Sequence, residues 1–529
     1  MTAKPDKKAF IFLSIAFVEG AVVMACELLG AKMTAPFFGT TIYSWAAVLA
    51  VTLGGLAGGY YFGGMMTIRR KPETLLQFIL FATGVFMVFM PVLGVAIMKA
   101  VINLNLLTGL VISLLVFLLP PVFLFGMVSP VIIAALVENA GASGKIAGRV
   151  YAVSTVGGVL NTLLLGFYII PTFGIRWPSV SYGILLLVVA FLFTVSKKKA
   201  LKAVILFFVV AVGIKLQAGD NNSEKDYVFR INYASEGLLG QIKVADYMVK
   251  TDSFGVMPVR GLLVNNTWQT VINLNDGTGL LDYIYFIRPM LSAFPKGSDV
   301  LLVGLGGGTL CTEIQKKGLN VEVVELDPRL PKLAKKHFGL NPRTKIITDD
   351  GRHFVQTTRK KYDLIIFDAF LGENPPWHLL TLESFEKVKT LLKPGGKFII
   401  EFYGFLKSKN GMAGRSVFAT LQKAGLNPQV IATSFTDGIE RNFVYTAGLQ
   451  PFSFDNLDYS GIKYTDKDIS NLKDYLMSSG DFYAEDYKIL TDDIPVLEEM
   501  LMNPALEWRK ELNVHYRDKF VAIGQPIFY

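Results

Sequence analysis

The sequence contains few cysteines, histidines and charged residues for its length. Only two of its 529 residues are cysteines, Cys26 and Cys311, and they lie in different regions, so no disulfide framework is expected. The four histidines lack the spacing of metal ligands, and we expect no metal site. The net charge is +9, but no basic stripe interleaved with aromatic residues is present. The sequence therefore does not predict nucleic-acid binding.

The chain contains several long apolar runs. Hydrophobic residues make up 52% of the chain, which is too apolar for one soluble domain. A membrane-spanning helix needs about 20 apolar residues, and no small-residue cleavage site follows the first run, so we expect that run to be a retained helix. We predict a helical transmembrane domain of six or seven spans over residues 1–219. The apolar stretches cover 9–29, 42–68, 74–98, 105–136, 148–171, 179–195 and 201–218.

The basic residues predict the orientation of these spans. Twelve lysines and arginines follow the second, fourth and sixth stretches or precede the first, and four lie in the alternate loops. This asymmetry puts the N-terminus in the cytoplasm. Seven spans would then put the C-terminal half outside. The seventh stretch has only twelve uninterrupted residues between Lys202 and Lys215, so we discount it and predict a cytoplasmic C-terminal half.

Two carboxylates interrupt the first span. Glu19 and Glu27 are costly inside a membrane, where such groups face a cavity or a partner. Two interpretations stay open: a cation-binding site in the helical bundle, or carboxylates paired internally or near the interface. Asn161, in the fifth stretch, is interpreted as a hydrogen bond between helices.

Residues 299–327 carry the most specific pattern in the chain. They read DVLLVGLGGGTLCTEIQKKGLNVEVVELD: an apolar strand, the glycines Gly304, Gly306, Gly307 and Gly308, a helical segment, a second strand and an acid. The glycines let the backbone approach a ligand, and the acid accepts hydrogen bonds from ribose hydroxyls. The pattern predicts a nucleoside site.

Strand and helix patterns alternate after this point. We predict a linker at 220–226, a small β-rich subdomain at 227–290, a Rossmann-like α/β domain at 291–449 and a helical extension at 450–529. In a doubly wound parallel sheet the ligand lies at the carboxyl ends of the strands. Acids follow four successive apolar runs: Glu325 and Asp327, then Asp349 and Asp350, then Asp368, then Glu401.

Several segments resemble the spermidine synthase family of aminopropyltransferases, and in particular its bacterial membrane-fused branch. Ile365–Asp368 resembles the strand that carries the family's catalytic aspartate, Asp350–Phe354 its adenine-contacting segment, and Val303–Glu313 its cofactor loop. Leu263–Gln269 resembles a segment that ends in glutamine, and Tyr285 falls at a substrate-contacting tyrosine. The resemblance implies a multi-pass protein of the bacterial inner membrane and, as a further expectation, a homodimer.

The resemblance also implies a reaction. The donor is decarboxylated S-adenosylmethionine or S-adenosylmethionine, a polyamine such as putrescine accepts an aminopropyl group, and methylthioadenosine leaves. Asp368 is then the base that deprotonates the amine. The residues implied to bind the donor are Gly304, Gly306, Gly307, Gly308, Glu325, Asp327, Asp350, Gly351 and Gln269, and those implied to bind the acceptor are Tyr285, Asp368, Glu373 and Tyr403.

The sequence departs from the family at charged positions. Gly307 stands where the family has an aspartate that holds the donor's amine, and Glu373 is the candidate replacement for a second acid in the loop after Asp368. These losses keep two alternatives open. One is another reaction of S-adenosylmethionine, either methyl transfer or cleavage that releases methylthioadenosine. The other is a polyamine transporter whose soluble domain senses a nucleoside, with Glu19 and Glu27 in the bundle.

Overall fold

The computed structural model folds as two compact units. The first comprises residues 1–225, 234–241 and 513–529, and the second residues 226–233 and 242–512. The structure describes residues 7–39, 42–137, 142–192, 208–216, 229–370, 375–405, 409–434, 441–478, 486–494, 496–502 and 528.

The first unit is a bundle of helices. Its core consists of apolar side chains from these helices, including Leu29, Leu76 and Phe125. The helices are α1 (Lys7–Phe38), α2 (Ile42–Met66), α3 (Pro72–Val101), α4 (Leu106–Phe117), α5 (Leu119–Leu136), α6 (Ser143–Leu164, continued by a π-helical turn at Leu165–Ile169), α7 (Ile170–Phe173), α8 (Arg176–Leu192) and α9 (residues 208–216).

Five of these helices are long and apolar enough to cross a membrane. They are α1, α2, α3, α5 and the combined segment Ser143–Phe173, whereas α4 and α8 are shorter apolar helices. The predicted single span at 105–136 is therefore divided at Leu118. Pro120 and Pro121 follow immediately, and a proline removes an amide donor and crowds the preceding turn, which explains why a new helix starts here.

Contacts within the bundle fix the direction of its helices. Lys8 and Glu73 form an ion pair at 3.5 Å, so α1 and α3 begin at the same end of the bundle. Gln77 Nε2 donates to the carbonyl oxygen of Ala190 (3.4 Å), so α8 ends there too. We call this the N-terminal end of the bundle. At the other end, a methyl group added to Gly109 at the start of α4 would lie 3.1 Å from Phe38, in the last turn of α1.

The seventh apolar stretch is helical where the structure describes it. In α9, a methyl group added to Gly213 would lie 2.3 Å from Val88 of α3, so the two helices pack closely. Farther along the chain, Lys32 near the end of α1 donates to the carbonyl oxygens of Gly237 (3.2 Å) and Leu238 (2.5 Å). Segment 234–241 therefore lies toward the end of the bundle opposite the N-terminal end.

The second unit contains two sheets. The smaller has four strands in the order β1-β2-β3-β4: β1 (Phe229–Ser235), β2 (Ile242–Thr251), β3 (Gly255–Val264) and β4 (Thr267–Asn273). Asn265 and Asn266 adopt positive φ angles of 50° and 64° in the two-residue turn between β3 and β4. This is the conformation that a tight hairpin turn requires.

The larger sheet has seven strands in the order β10-β11-β9-β8-β5-β6-β7. The strands β7, β6, β5, β8 and β9 are parallel, and β11 is antiparallel to β9. Its strands are β5 (Asp299–Val303), β6 (Asn320–Glu325), β7 (Lys345–Thr348), β8 (Tyr362–Phe367), β9 (Leu392–Gly404), β10 (Gln429–Ala432) and β11 (Arg441–Ala447). Its helices are α10 (Asp282–Leu291), α11 (Thr309–Lys316), α12 (Leu330–His337), α13 (Gly351–Thr357), α14 (Leu382–Leu391), α15 (Met412–Lys423) and α16 (residues 497–502).

The order of the large sheet fixes where a ligand binds. The chain moves from β5 outward through β6 to β7, then returns to the other side of β5 with β8 and β9. The strand order therefore reverses between β5 and β8, and a crevice opens beyond their carboxyl ends. Apolar side chains cover both faces of the sheet, for example Phe398 on one face and Ile399 on the other. The predicted Rossmann-like α/β fold is confirmed.

The described part of the predicted C-terminal extension is mostly irregular. Within 450–478 the regular element is a short 3-10 turn at Leu472–Tyr475, and α16 follows later. Phe452, Phe454 and Leu472 belong to the apolar core on one face of the large sheet. This segment therefore packs on the α/β domain.

Candidate active site

The crevice is bordered by the loops that follow β5 and β8. Asp368 N–H donates to the carbonyl oxygen of Val303 (2.9 Å), which joins the two loops. Gly304 has a φ of 96°, and a methyl group added there would lie 1.9 Å from the backbone oxygen of Asp368. Only glycine allows this approach, so Gly304 positions the backbone that carries Asp368.

Gly307 has no space for a side chain. Its N–H donates to Thr270 Oγ1 (2.8 Å), and an added methyl group would lie 2.7 Å from Thr270 Cγ2 and 3.0 Å from Phe338. Gly306 (φ 54°) also approaches Thr270, and Gly308 (φ 84°) precedes α11. The glycine loop therefore packs against β4, next to the predicted donor residue Gln269.

Glu325, at the end of β6, is bound to the backbone of the glycine loop. Its Oε2 accepts from Leu305 N–H (2.9 Å) and its Oε1 from Asp327 N–H (2.7 Å). It is 7% exposed, and burial raises its pKa to about 7. Each carboxylate oxygen can accept a second hydrogen bond, so the residue can hold the loop and still accept ribose hydroxyls. Asp327 instead forms an ion pair with Arg329 (2.6 Å).

Asp350 and Gly351 begin α13 beside the crevice. Asp350 Oδ1 caps the helix by accepting from His353 N–H (2.9 Å), and its Oδ2 lies 3.3 Å from His378 Nε2. A methyl group on Gly351 would lie 2.5 Å from Val303 of β5. The predicted adenine-contacting segment is therefore adjacent to the glycine loop's strand, and His378 adjoins it.

Asp368 forms the centre of the candidate site. Its Oδ2 accepts a hydrogen bond from the hydroxyl of Tyr283 on α10 (3.0 Å). Burial raises the pKa of Asp368 to about 6, and the hydrogen bond from Tyr283 opposes that rise. At neutral pH the group is largely a carboxylate that can accept a proton, which is the requirement for a general base.

Glu401 lies on β9, next to the strand that carries Asp368. The parallel register pairs Phe367 with Ile400, so Asp368 and Glu401 are neighbours on the same face of the sheet. Asn442 of β11 donates to Glu401 Oε1 (2.8 Å). Tyr403 lies two residues farther along β9, opposite Asn442 in the register with β11. The crevice therefore contains two carboxyl groups side by side.

One predicted acceptor residue, Tyr285, lies in the apolar core. Tyr285 is 1% exposed in the core of the second unit, and its hydroxyl has no hydrogen-bond partner in the described part of the chain. Tyr283 reaches Asp368 instead, because residues two apart on a helix point to nearly opposite sides. Glu373 lies outside the described residues, so its predicted role stays a prediction.

Sequence reasoning did not include Tyr283, Glu401, Asn442 or Thr270 among the site residues. The sequence could have indicated Glu401 as a site residue, because it is an acid near the end of a parallel strand. Asn442 and Thr270 carried none, since they reach the site from strands that are distant in sequence. Tyr283, which bonds to Asp368, lies two positions before the predicted Tyr285, and helical periodicity directs the two side chains to different sides.

The carboxylates of the bundle do not form a joint site. Glu19 is 3% exposed and accepts from Ser154 Oγ of α6 (2.8 Å), whereas Glu27 is partly exposed. Eight residues of helix separate them by about 12 Å. Asn161 Nδ2 donates to the Ala21 carbonyl oxygen (2.7 Å), which confirms the predicted bond between helices. Among the described residues, no group of three potential metal ligands occurs.

The fold and the crevice together define a Rossmann-like, methyltransferase-type α/β domain. The family model described as the spermine/spermidine synthase domain matches residues 289–408, which include the glycine loop, Glu325 and Asp368. The match assigns residues 289–408 of the chain to this domain family. It confirms the predicted resemblance for these residues, and the membrane-fused branch stays a prediction.

Relatives of two activities align with this region. A polyamine aminopropyltransferase of Vibrio vulnificus is 30% identical over 148 residues, covering 26% of this chain and 50% of the relative. An N-terminal histidine N-methyltransferase of Emericella nidulans is 31% identical over 201 residues, covering 35% and 36%. The chain thus spans half or less of the length of these curated relatives. A probable spermidine synthase structure from Corynebacterium glutamicum is 19% identical with a TM-score of 0.36, covering 44% of this chain and 85% of that one.

Proposed function

We propose that this protein is a membrane-anchored aminopropyltransferase. It transfers an aminopropyl group from decarboxylated S-adenosylmethionine to a small amine such as putrescine and releases methylthioadenosine. The observation that carries the proposal is the Asp368 carboxyl, which lies at the strand-order reversal beside the glycine loop and is held by Tyr283 (3.0 Å).

The reaction requires one proton transfer and one displacement. The acceptor arrives as an ammonium ion and loses a proton to Asp368, which leaves a neutral amine with a free electron pair. The nitrogen attacks the aminopropyl carbon bonded to sulfur, and the carbon–sulfur bond breaks with its electron pair remaining on sulfur. The products are a secondary ammonium ion and a neutral thioether. The positive sulfur already activates the donor, so orienting the two substrates contributes much of the remaining acceleration.

The same crevice supports binding of the donor's nucleoside. Glu325 is fixed by two backbone amides and retains acceptor capacity for ribose hydroxyls. Asp350 and Gly351 border the position of the base, beside Val303. The match of residues 289–408 to the family and the named activity of the Vibrio vulnificus relative support this donor class.

Product analysis tests the proposal directly. The full-length protein in detergent is incubated with decarboxylated S-adenosylmethionine and putrescine, and the products are identified by mass. We expect methylthioadenosine and an amine enlarged by one aminopropyl group, in equal amounts. Asp363→Asn is the matched control for Asp368→Asn, because Asp363 lies on the same strand but bonds to Lys393 (2.8 Å) and to the amide of Asp299.

A second candidate is methyl transfer from intact S-adenosylmethionine to an amine. Gly307 favours it, because the space that an aspartate would need there is filled by Thr270 and Phe338. Without that carboxylate, the loop lacks the charge that the family uses to hold the decarboxylated donor's amine. The relative from Emericella nidulans is named a methyltransferase, which is consistent with this chemistry.

The two reactions differ in the product derived from the donor. Aminopropyl transfer gives methylthioadenosine from the decarboxylated donor only. Methyl transfer gives S-adenosylhomocysteine from the intact donor and an amine heavier by one methylene. An experiment that supplies each donor separately with putrescine therefore assigns one reaction and excludes the other.

The proposed membrane anchor is the first unit. Five of its helices are long and apolar enough to cross, and α2 and the Ser143–Phe173 segment leave most of their residues uncovered by protein. Lipid is the environment that covers such apolar surfaces. Recovery of the full-length protein in the membrane fraction after carbonate washing is the expected result.

A further inference from the structure

Glu401 is a buried carboxyl group whose hydrogen bonding is incomplete. It is 4% exposed, and Asn442 Nδ2 donates to one of its oxygens at 2.8 Å. The other oxygen, Oε2, is buried without a hydrogen-bond partner in the part of the chain that the structure describes. Leaving a buried acceptor unpaired is costly, and more so for a charged group. A native protein keeps such a group where a ligand or a proton completes it.

Within the described ranges, the side chains shown to neighbour Glu401 carry no positive charge. Asp368 faces it from β8, and Tyr283 faces both carboxyls from α10. Among the described residues, no lysine, arginine or histidine forms an ion pair with Asp368 or Glu401. Burial and the adjacent Asp368 charge hold the pKa of Glu401 well above its usual range. Two adjacent buried carboxyls cannot both ionise easily, so the free site retains a proton on the pair.

We propose that Glu401 is the second carboxyl of the acceptor site, and that a substrate ammonium ion binds between Glu401 and Asp368. This inference rests on the proposed function, because it assigns the position of the acceptor amine in that same crevice. The ammonium supplies the positive charge and the donor hydrogen that Glu401 Oε2 lacks. Its arrival displaces the pair's proton to solvent, and Glu401 then holds the amine while Asp368 takes its proton.

The arrangement makes Asn442 a positioning residue. It fixes the Glu401 carboxyl by occupying Oε1, which leaves Oε2 for the ligand. Asn442 itself is on the antiparallel strand β11, next to Tyr403 in the register. The site thus selects for a cationic nitrogen, in either the aminopropyl or the methyl transfer reaction.

The test measures proton release when the acceptor binds. Full-length protein saturated with methylthioadenosine, which prevents turnover, is titrated with putrescine at pH 7 in two buffers of different ionisation enthalpy. For the unmodified protein we expect binding with release of about one proton, because the pair's proton is displaced by the cation. For Glu401→Gln we expect binding weaker by about tenfold or more, with proton release abolished.

Matched variants separate this role from a general loss of structure. Glu322→Gln is the control, because Glu322 is a buried acid of the same sheet that pairs with Lys345 and Tyr362 outside the crevice. It should bind putrescine with unchanged proton release. Asn442→Ala should weaken putrescine binding while methylthioadenosine binding stays the same.

The outcomes distinguish this inference from the proposed function. If methylthioadenosine itself does not bind, the proposed function fails, and the inference fails with it. If both ligands bind and Glu401→Gln releases the same number of protons as the unmodified protein, the inference is overturned and the proposed function stands. Loss of proton release in Glu401→Gln, with methylthioadenosine binding retained, supports both.

Discussion

The hydroxyl of Tyr283 donates a hydrogen bond to Asp368 at 3.0 Å and thereby connects α10 to the carboxyl end of β8. Tyr283 is buried, and its own pKa lies well above the usual range because burial and the charge of Asp368 disfavour its ionised form. It therefore keeps its proton at neutral pH and can donate to Asp368. In the proposed reaction this contact would tune the basicity of Asp368.

Replacing Asp368 with asparagine should abolish most of the transferase activity. Asparagine preserves the shape of the side chain but cannot accept the amine's proton. Removing a general base of this kind lowers the rate by about 10²- to 10⁴-fold. The turnover number falls while methylthioadenosine still binds, as measured by calorimetry, and Asp363→Asn retains activity. Activity within a few fold of the unmodified protein in Asp368→Asn would assign the base to another group.

The rate should fall as the pH decreases through about 6, the pKa to which burial raises Asp368. The carboxylate form, which acts as the base, is present above that pKa and lost below it. Protonation of Asp368 therefore causes the fall on the acid side of the pH–rate profile, its acid limb. The measurement is the pH dependence of kcat/KM, which reports the pKa values of the free enzyme. An acid limb near pH 4, the usual range of an exposed aspartate, would contradict the assignment.

Replacing Tyr283 with phenylalanine should move this acid limb to higher pH. The tyrosine hydrogen bond stabilises the carboxylate and lowers its pKa, so its loss raises that pKa further. Tyr285→Phe is a matched control, because Tyr285 lies on the same helix and its hydroxyl has no partner in the described residues. The control should leave the profile unchanged. An equal shift in both variants would show that the effect comes from the helix and not from the hydrogen bond.

Replacing Gly307 with alanine should destabilise the glycine loop. The added methyl group would lie 2.7 Å from Thr270 Cγ2 and 3.0 Å from Phe338. Overpacking of this kind costs about 1–3 kcal/mol. Thermal unfolding in detergent should show a lower Tm, and Thr270→Ser in the same chain should restore part of it, because serine keeps the hydroxyl that accepts from Gly307 N–H. If the double variant is no more stable than Gly307→Ala, Thr270 is not the obstructing side chain.

Cysteine labelling should show Leu238 and Arg70 on opposite sides of the membrane. Leu238 adjoins Lys32 near the end of α1, whereas Arg70 follows α2, which returns toward the N-terminal end of the bundle. Both native cysteines are buried, so an impermeant maleimide should report mainly on Leu238→Cys or Arg70→Cys. With the basic loops in the cytoplasm, we expect Arg70→Cys to react only after permeabilisation. Opposite ends of the bundle then imply that Leu238→Cys reacts in intact cells, which conflicts with the cytoplasmic C-terminal half predicted from the sequence.

The labelling result also tests the sidedness predicted from the sequence. The cytoplasmic placement depended on discounting the seventh apolar stretch, which is helical over 208–216 and packs on α3. If Leu238→Cys reacts from the exterior, the proposed reaction would require its S-adenosylmethionine-derived donor to be available outside the cell. Protection of both cysteines in intact cells would support the cytoplasmic placement and contradict the assignment of Leu238 and Arg70 to opposite sides.

The sequence by itself determined the classes of structure and the place of the glycine loop and its acids at the strand ends. Apolar runs specified the helical bundle, and glycines followed by acids specified the α/β crevice, because both signals are local and periodic. Only the tertiary structure decided which tyrosine reaches Asp368, how Asn442 fixes Glu401, and that Thr270 closes the space at Gly307. These contacts join strands and helices that are far apart in sequence, and their geometry depends on strand register and helix rotation. Neither quantity is specified by residue type alone, since a shift of one or two positions directs a different side chain into the site.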